Sequence, residues 1–461
     1  MPLESAGILE NTRKLAPKVA ARADEIAKLP VEAGAEATIE WTPYSDRWRD
    51  DPYPMYRELR DRAPLHFSPE SNTFTVSRYE DVVAVLKQTD VFSSKTRGGR
   101  MESAIGDLSI AAKLQLLLRY VSRMRATPWA MRRSRMLIQE DGAVHLRMRD
   151  LVNRGFTPRQ IQRLEPRIRA LVAGCLAELR TKPEFDLVSE LNIPLPVTVI
   201  AEMLGVEPEK RHVFKHWSDV IIAGATGSGL GNPLASGVMD AMAELRAYLR
   251  PIVRERRRHP ADDLISILVA AEVDGAGLSG YEIFLFVLLL LVAGNETTTN
   301  LLGNAVDALL AHPEQLARVV AEPSLVPGLI EEALRFDGPV QFITRRTTRE
   351  SALHGQTIPA DAMVVVLLGS ANRDERRFEE PDRFDVTRDT RGHVAFGFGA
   401  HFCLGASLAR LEARGALEAL VPELPHLARV RPEREFLDSY LIRGRARLDL
   451  RRGRSSRCQV V

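Results

Sequence analysis

A run of twelve consecutive residues without a polar side chain, Ile283 to Gly294, constrains the fold of this chain most strongly. Ser279 and Glu282 precede the run with the spacing of a capping box, so we expect a helix to begin there. The run is too short to cross a bilayer, because a spanning helix needs about 20 apolar residues. A helix that is apolar on every face belongs in the centre of a protein. The polar residues Asn295–Thr297, which follow the run, are therefore predicted to lie in the interior.

Size and apolar periodicity favour one large domain. With 461 residues, the chain can bury a core that encloses both a cofactor and a substrate. Periodic apolar segments continue without a linker, which predicts a single domain over residues 41–450. Residues 1–40 are predicted to form an N-terminal extension that can include a helix over Leu15–Leu29, and residues 451–461 a disordered basic tail.

Charge and cysteine content exclude several classes of protein. Lys and Arg number 63 against 61 Asp and Glu, so net charge gives no argument for a nucleic-acid or membrane partner. The three cysteines are too few and too scattered for a disulfide framework, which suits a reducing cytoplasm. Charged residues interrupt the first twenty positions, which predicts neither a signal peptide nor a spanning helix there. We expect a soluble cytoplasmic protein.

The pattern of apolar residues predicts a mainly α-helical fold with a small β-rich region. Leu65–Phe67 and Thr73–Val76 alternate around the turn residues Glu70–Asn72, which is typical of a hairpin. Helical spacing prevails from His145 to about Phe336. Met363–Leu368 is a short run of β-forming residues.

The strongest chemical signal is the segment Phe396 to Arg410, FGFGAHFCLGASLAR, in which glycines flank Cys403 and a helix follows directly. Glycines let the backbone fold tightly around the sulfur, and the N-terminus of the helix favours a thiolate over a thiol. A thiolate ligand donates electron density to haem iron and favours cleavage of the O–O bond. The segment predicts a haem-thiolate site at Cys403. Cys175, on an apolar helical pattern, is predicted to be a core residue.

A second signal is the polar group that ends the apolar run, Ala293 to Thr298, AGNETT. The hydroxyl of Thr297 can compete for the carbonyl of Ala293 and open a local groove in the helix, and Gly294 leaves room for close approach of haem and oxygen. Glu296 and Thr297 could then relay protons during oxygen activation. By itself, the same group could be a simple polar interruption of a buried helix.

Together these segments resemble the cytochrome P450 family. The cysteine segment matches that family's haem-binding loop, F-G-x-G-x-H-x-C-L-G followed by L-A-R, at every fixed position. The segment AGNETT is similar to its oxygen-binding helix. The resemblance covers residues from about 41 to 450, and it implies the cytochrome P450 fold, haem b (iron protoporphyrin IX), O2, and a ferredoxin or flavodoxin with its reductase.

The resemblance also implies further site residues. Glu332 and Arg335 match the family's charged pair, and with Arg383 they are expected to form a buried charged network that braces the cysteine loop. Four cationic groups are expected to hold the haem propionates: His145, Arg149, Arg345 and His401. The remaining cofactor contacts implied are Ala293, Gly294, Phe396, Gly397, Cys403 and Gly405. The sequence EDGAV before His145 departs from the Asp-Pro-Pro-Glu common in the family.

The resemblance implies a monooxygenase that hydroxylates or epoxidises an apolar small molecule, with electrons from NAD(P)H. We expect the substrate pocket to be formed by Leu290, Val292, Ala293, Val340, Phe342, Leu441 and Ile442. Three arginines, Arg147, Arg154 and Arg159, are candidates for docking an acidic electron donor. Two alternatives stay open at this point: a peroxide-driven oxygenase on the same scaffold, and a haem-binding sensor or carrier without enzymatic activity.

The basic stretch Leu114–Met136 is longer than the loop usual at this place in the family. It could cap the substrate pocket, form a solvated face, or contact an anionic substrate or a membrane surface. Apolar pocket walls suit terpenoids, steroids, fatty acids and macrocycles alike, so the sequence does not rank these substrate classes.

Overall fold

The structure is a computed structural model that describes residues 39–95, 109, 113, 115, 118, 121–124, 134–226, 237–273 and 276–453. Three predictions concern parts of the chain outside these residues: the helix Leu15–Leu29, most of the basic stretch Leu114–Met136, and the tail from residue 454 onward. These three remain predictions.

Helices dominate the described part of the chain, which confirms the predicted fold class. The α-helices are α1 (Tyr53–Arg62), α2 (Tyr79–Lys87), α3 (Gly142–Asn153), α4 (Pro158–Gln162), α5 (Glu165–Arg180), α6 (Pro194–Met203), α7 (Arg211–Thr226), α8 (Val238–Arg258), α9 (Leu264–Val269), α10 (Gly280–Ala311), α11 (Pro313–Ala321), α12 (Val326–Phe336), α13 (Leu368–Ala371) and α14 (Ala406–Leu420). A π-helical turn over Val188–Asn192 precedes α6.

The central helix α10 begins where the sequence predicts. The hydroxyl of Ser279 accepts from the amide of Glu282 at 3.1 Å, and the carboxylate of Glu282 accepts from the amide of Ser279 at 2.9 Å. The helix continues for 32 residues and packs against α6, α7, α12 and α14. Its length and hydropathy would allow it to cross a membrane, but more than half of its most apolar stretch is buried inside the protein. Each fully buried leucine, such as Leu291, contributes roughly 2 kcal/mol to folding.

A five-stranded mixed sheet lies at one side of the helices, in the order β1-β2-β10-β7-β3. Its strands are β1 (Leu65–Ser68), β2 (Thr73–Val76), β3 (Phe92–Ser93), β7 (Phe342–Thr347) and β10 (Met363–Leu367). Strands β1 and β2 form the predicted antiparallel hairpin, with Leu65 opposite Val76. Asn72 occupies the turn with a φ of 50°, a conformation that asparagine tolerates better than most residues.

Smaller sheets complete the fold. Strands β4 (Glu184–Asp186), β11 (Leu427–Arg429) and β12 (Asp449–Arg452) form one sheet, β5 (Glu272–Val273) pairs with β6 (Ala276–Gly277), and β8 (Ser351–Leu353) pairs with β9 (Gln356–Ile358). Arg452 pairs with Leu427, so the predicted start of the tail at residue 451 is wrong. Arg451 and Arg452, the last two residues of β12, pair with β11 through their backbones. The guanidinium of Arg452 also donates to the carboxylate of Glu423 at 3.2 Å.

Three apolar clusters stabilise these elements. The largest surrounds α10, and a second lies between the five-stranded sheet and α2. The third is an N-terminal aromatic cluster formed by Trp41, Tyr44, Tyr53, Tyr56 and Tyr440. It packs on the sheet face formed by Phe342, Val365 and Leu367.

Candidate active site

Cys403 lies in a tight loop directly before helix α14. Its amide donates to the carbonyl of Phe396 at 2.9 Å, which closes the loop. Gly397 and Gly399 both have a φ of 72°, which residues with a side chain rarely adopt. A Cβ on Gly399 would lie 3.1 Å from the carbonyl oxygen of Leu86, so the loop also packs closely on α2. Glycine at these positions is what allows the backbone to hold the sulfur here.

The surroundings of Cys403 act on the pKa of its thiol in two opposite directions. Cys403 is an exposed residue by its accessible surface, and desolvation by the surrounding protein atoms nevertheless raises the pKa of its thiol. The amide of Gly405 at the start of α14 and the positive charges of Arg149 and Arg410 act in the opposite direction. The predicted effect of the helix N-terminus is present, because the amides of Gly405 and Ala406 lower the pKa of the thiol, and desolvation opposes it. A coordinated metal cation deprotonates a thiol outright, so ionisation depends on the metal.

Arg149 of helix α3 binds the cysteine loop. Its guanidinium donates to the carbonyl of Ala400 at 3.2 Å and to the carbonyl of Phe402. This differs from the prediction that Arg149 would be directed towards a haem propionate. Two loop carbonyls lie within its reach and accept its donors, so Arg149 fixes the backbone on both sides of His401.

His401 belongs to a small polar cluster with Asp141. The Nε2 atom of His401 lies 3.0 Å from Asp141 Oδ1 and 3.1 Å from the hydroxyl of Ser94. Burial by itself would raise the pKa of Asp141, but hydrogen bonds from His401, Ser93 and Ser94 lower it to about 2. The next residue, Gly142, has a φ of 60°, which proline cannot adopt. The departure of EDGAV from the family's Pro-Pro therefore goes with a different backbone at the start of α3.

Two buried side chains beside this cluster keep polar atoms without partners. Arg345 on β7 is 6% exposed, and its Nε has no hydrogen-bond partner among the described residues. Burial lowers the pKa of Arg345 to about 10. His145 is 1% exposed, its ring lies 4.0 Å from that of His401, and its Nδ1 has no such partner either. Burial, with the charges of His401 and Arg149, lowers the pKa of His145 to about 4.

Thr297 makes the hydrogen bond that the sequence predicts. Its hydroxyl donates to the carbonyl of Ala293 at 2.7 Å, and Ala293 is an exposed position on an otherwise buried helix. Helix α10 runs unbroken through this segment, and the groove stays a prediction. The prediction for Gly294 is wrong. A Cβ there would lie 2.6 Å from Cδ1 of Ile200, so this glycine allows close packing on α6 rather than approach by haem.

Glu296 is a half-buried acid held by one amide. Burial raises the pKa of its carboxyl, and the negative charge of Asp219 adds to this effect. The Nδ2 atom of Asn300 opposes it by donating to Glu296 Oε1 at 3.3 Å, and it also donates to the Glu296 carbonyl at 2.7 Å. A carboxyl with a raised pKa is suited to exchanging protons near neutral pH.

Glu332 and Arg335 form a fully buried ion pair on α12. Arg335 Nε lies 2.7 Å from Glu332 Oε2, and Nη2 lies 2.9 Å from Oε1. The guanidinium also donates to the carbonyls of Asn372 and Pro381, each at 2.9 Å, and the carboxylate accepts from the amide of Asp385 at 2.9 Å. These bonds fix the chain that leads to the cysteine loop.

The third charged member of this network is Arg388, not Arg383. Arg388 is 12% exposed in its side chain, and its Nε lies 3.3 Å from Glu332 Oε1. The side chain of Arg383 is 58% exposed and pairs with Glu380 at 2.9 Å. Only the carbonyl of Arg383 takes part, by accepting from Arg388 at 3.0 Å. The prediction was wrong because a turn at Asp385 brings the later arginine back towards Glu332.

The structure brings together part of the predicted substrate pocket. Val340 and Ile442 pair in an isolated β-bridge. The prediction for Phe342 is wrong, because it is a buried member of the N-terminal aromatic cluster, whereas Leu441 is only partly buried against that cluster and its role stays a prediction. Side chains alternate along a strand, so Phe342 points away from the face that carries Arg345. The other predicted positions, Leu290 and Val292, are partly buried against the main core.

Sequence reasoning missed a buried acid on the helix that follows the cysteine. Glu412 is hydrogen-bonded to Thr298 of the central helix, and burial raises the pKa of its carboxyl to about 8. Its Oε1 has no further partner among the described residues. The signal that could have found it is its position one turn from Leu408 and one turn from Ala416 on the buried stripe of α14.

The residues of this site fit haem b. A propionate would satisfy the unpartnered donors of Arg345 and, with a proton, of His145, which are otherwise costly to bury. Cys403 offers a sulfur that a cation would ionise. The fold and the site therefore define the class of protein as a haem-thiolate enzyme.

Comparisons with known proteins agree with this class. The sequence profile for "Cytochrome P450" matches residues 213–425. The chain is 38% identical over 416 residues to vitamin D(3) 25-hydroxylase of Pseudonocardia autotrophica, covering 89% of this chain and 96% of that protein. Among solved structures, CYP109Q5 of Chondromyces apiculatus is 40% identical with a TM-score of 0.76, covering 90% and 98%. CYP109E1 of Bacillus megaterium, in complex with testosterone, is 35% identical with a TM-score of 0.74, covering 88% and 100%.

The chain thus belongs to the cytochrome P450 family, in its bacterial type. It is a monooxygenase-class enzyme whose cofactor is haem b. The predicted family, fold, cofactor and enzyme class are confirmed.

Proposed function

We propose that this cytochrome P450 hydroxylates or epoxidises an apolar small molecule of steroid size in the cytoplasm, with electrons from NAD(P)H. The observation that carries the proposal is the pairing of Thr297 with Ala293 on the central helix, beside a half-buried Glu296. A relative named as a vitamin D(3) hydroxylase and a neighbour in complex with testosterone support a bulky, apolar substrate.

Cys403 and a pair of buried side chains, Arg345 and His145, would hold the cofactor. Haem, when bound through Cys403, supplies the iron that activates O2. Arg345 and His145 would hold its propionates, because each is buried and has a polar atom without a partner in the part of the chain that the structure describes. Arg149 and the pair of His401 with Asp141 keep the cysteine loop in position. Ile442 and Val340, which pair in a β-bridge, would bound the substrate.

Thr297 and Glu296 handle the protons. The hydroxyl of Thr297 donates to a backbone carbonyl and keeps lone pairs that can accept a hydrogen bond from water or oxygen. Glu296 can hold and release a proton because burial raises the pKa of its carboxyl. Proton delivery by positioned groups of this kind typically contributes 10²–10⁴-fold to a rate.

The electron donor would dock near the cysteine loop. Arg147, Arg154 and Arg159 are exposed on α3, α4 and the turn between them. Leu146 and Phe402 are exposed apolar side chains in the same region of the chain. An acidic ferredoxin or flavodoxin, with its reductase, matches a basic rim around an apolar centre.

The proton-relay proposal is tested with Thr297→Ala and Glu296→Gln. Both variants should keep haem binding but release more hydrogen peroxide per NADPH oxidised, with testosterone as the probe substrate. Peroxide is expected to rise several-fold, because protons no longer arrive in step with electrons. Unchanged coupling in both variants, together with full activity driven by added peroxide, would favour a peroxide-driven oxygenase on the same scaffold.

A further inference from the structure

The loop Ser439–Arg445, here called the substrate loop, is fixed to the central helix by a row of polar residues. The amide of Arg443 donates to the carbonyl of Pro339 at 2.7 Å, and its carbonyl accepts from Asn304 Nδ2 at 3.2 Å. One helical turn further along, Arg445 pairs with the buried Asp307. The substrate loop also carries Ile442, the β-bridge partner of Val340, so these bonds fix the position of a residue that bounds the substrate in the proposed function.

Gly444 of the substrate loop packs directly on Asn300. A Cβ on Gly444 would lie 1.8 Å from Asn300 Oδ1 and 2.6 Å from Asn300 Cβ. Contacts below 3.0 Å cannot exist, and the second involves an atom next to the helix backbone that cannot move away cheaply. A movement of the substrate loop towards α10 would therefore displace the Asn300 amide.

The same Asn300 amide holds Glu296. Its Nδ2 donates to Glu296 Oε1 at 3.3 Å and to the Glu296 carbonyl at 2.7 Å. Asn300 itself is 1% exposed, so its side chain has no free space in which to adopt another rotamer. A displacement of Gly444 must therefore change the hydrogen bond to the carboxyl of Glu296.

We propose that Asn300 is a positioning residue that couples the substrate loop to Glu296, so that a substrate pressing on Ile442 reorients the acid that delivers protons. Ile442 and Gly444 are two residues apart on one fixed loop, so the displacement reaches Asn300 through covalent bonds and one contact. The inference rests on the proposed function, because it assigns proton delivery to Glu296. If the substrate loop and Glu296 are coupled in this way, Glu296 delivers protons when a substrate is bound.

The test follows the carboxyl of Glu296 itself in the holoenzyme. The infrared band of its protonated form, identified by its absence in Glu296→Gln, is titrated with pH in each variant. Asn300→Ala removes the N–H donor, which should raise the midpoint by roughly one pH unit. Gly444→Ala should also raise the midpoint of the Glu296 titration, although it alters neither Asn300 nor Glu296. In the Asn300→Ala background, adding Gly444→Ala should have no further effect.

Thr299→Val is the matched control. Thr299 lies beside Asn300 on α10 and bonds to the carbonyl of Asn192 at 3.0 Å, so its loss perturbs the helix without touching Glu296. If Gly444→Ala does not accumulate as holoenzyme, Asn304→Ala frees the same loop without adding an atom and should also shift the midpoint. A loop variant that binds haem and keeps the wild-type midpoint overturns the coupling. Failure of the proposed function gives a different result. In that case Glu296→Gln would form as much product per NADPH oxidised as the wild type.

Discussion

Glu332 is a carboxylate without exposed surface, and it is tolerated only because cationic and amide donors surround it. Removing one partner of a buried pair leaves a charge without compensation, which costs far more than the pair contributes. The stability of the protein therefore depends on which residues bond to Glu332, more than on how many ion pairs lie near it.

Arg388→Ala tests the partner that the structure assigns to Glu332. It removes one of several donors, so we expect the free energy of unfolding of the holoenzyme to fall by about 2 kcal/mol. Arg383→Ala removes an exposed pair and should change it by less than about 0.5 kcal/mol. Denaturant titration of both variants measures the difference. If both variants lost the same unfolding free energy, Arg388 would not be the third charged member of the network.

Single residues show what the sequence can and cannot predict. Cys403 and the hydrogen bond of Thr297 to Ala293 follow from local patterns, because each involves atoms within one segment. Arg383 was assigned wrongly because the direction of a side chain depends on a turn that the pattern does not specify. Gly294 was assigned wrongly because the neighbour that needs the space, Ile200, is almost a hundred residues away.

A half-buried acid, Glu331, connects α12 with α14 and with the segment before the cysteine loop. Glu331 of α12 accepts from Arg410 of α14 at 2.6 and 2.8 Å, and it lies 2.9 Å from Nε2 of His393. Burial would raise the pKa of Glu331, but these partners lower it to about 2. Arg410 also lies over the ring of Phe396, so the clamp reaches the cysteine loop.

The stabilisation from Glu331 should depend on pH. Because its folded pKa is about 2 and the unfolded value is about 4.3, the contribution is complete above about pH 5 and declines as pH falls towards 2. We expect Glu331→Gln to lower the unfolding free energy by about 2 kcal/mol at pH 7, and by roughly half as much at pH 3. Glu322→Gln, on the surface, serves as the control. A difference independent of pH would contradict this account.

Elements differ in how far local sequence determines them. The hairpin β1–β2 and the start of α10 carry their own turn and capping signals, so they were predicted. Strand β4 was missed, because it exists through pairing with β12, some 260 residues further along the chain. Its three residues, Glu184–Asp186, have no β-pattern of their own.

The whole molecule has a nearly neutral charge balance, so any attraction of an acidic electron donor must come from a local surface. Replacing Arg154 and Arg159 together by Glu should slow reduction of the haem by a ferredoxin roughly tenfold at low salt, and less at high salt. Arg254→Glu, an exposed arginine on α8, is the control. Stopped-flow reduction measures all three proteins, and equal rates would refute the docking surface.

The central claim is that this chain binds haem b through the sulfur of Cys403. The ferrous carbonyl spectrum of the purified protein tests it most directly. We predict the long-wavelength Soret band of a thiolate-ligated complex in the wild type, and loss of that band in Cys403→Ser although the protein remains folded. A spectrum that is the same in both proteins would contradict the claim.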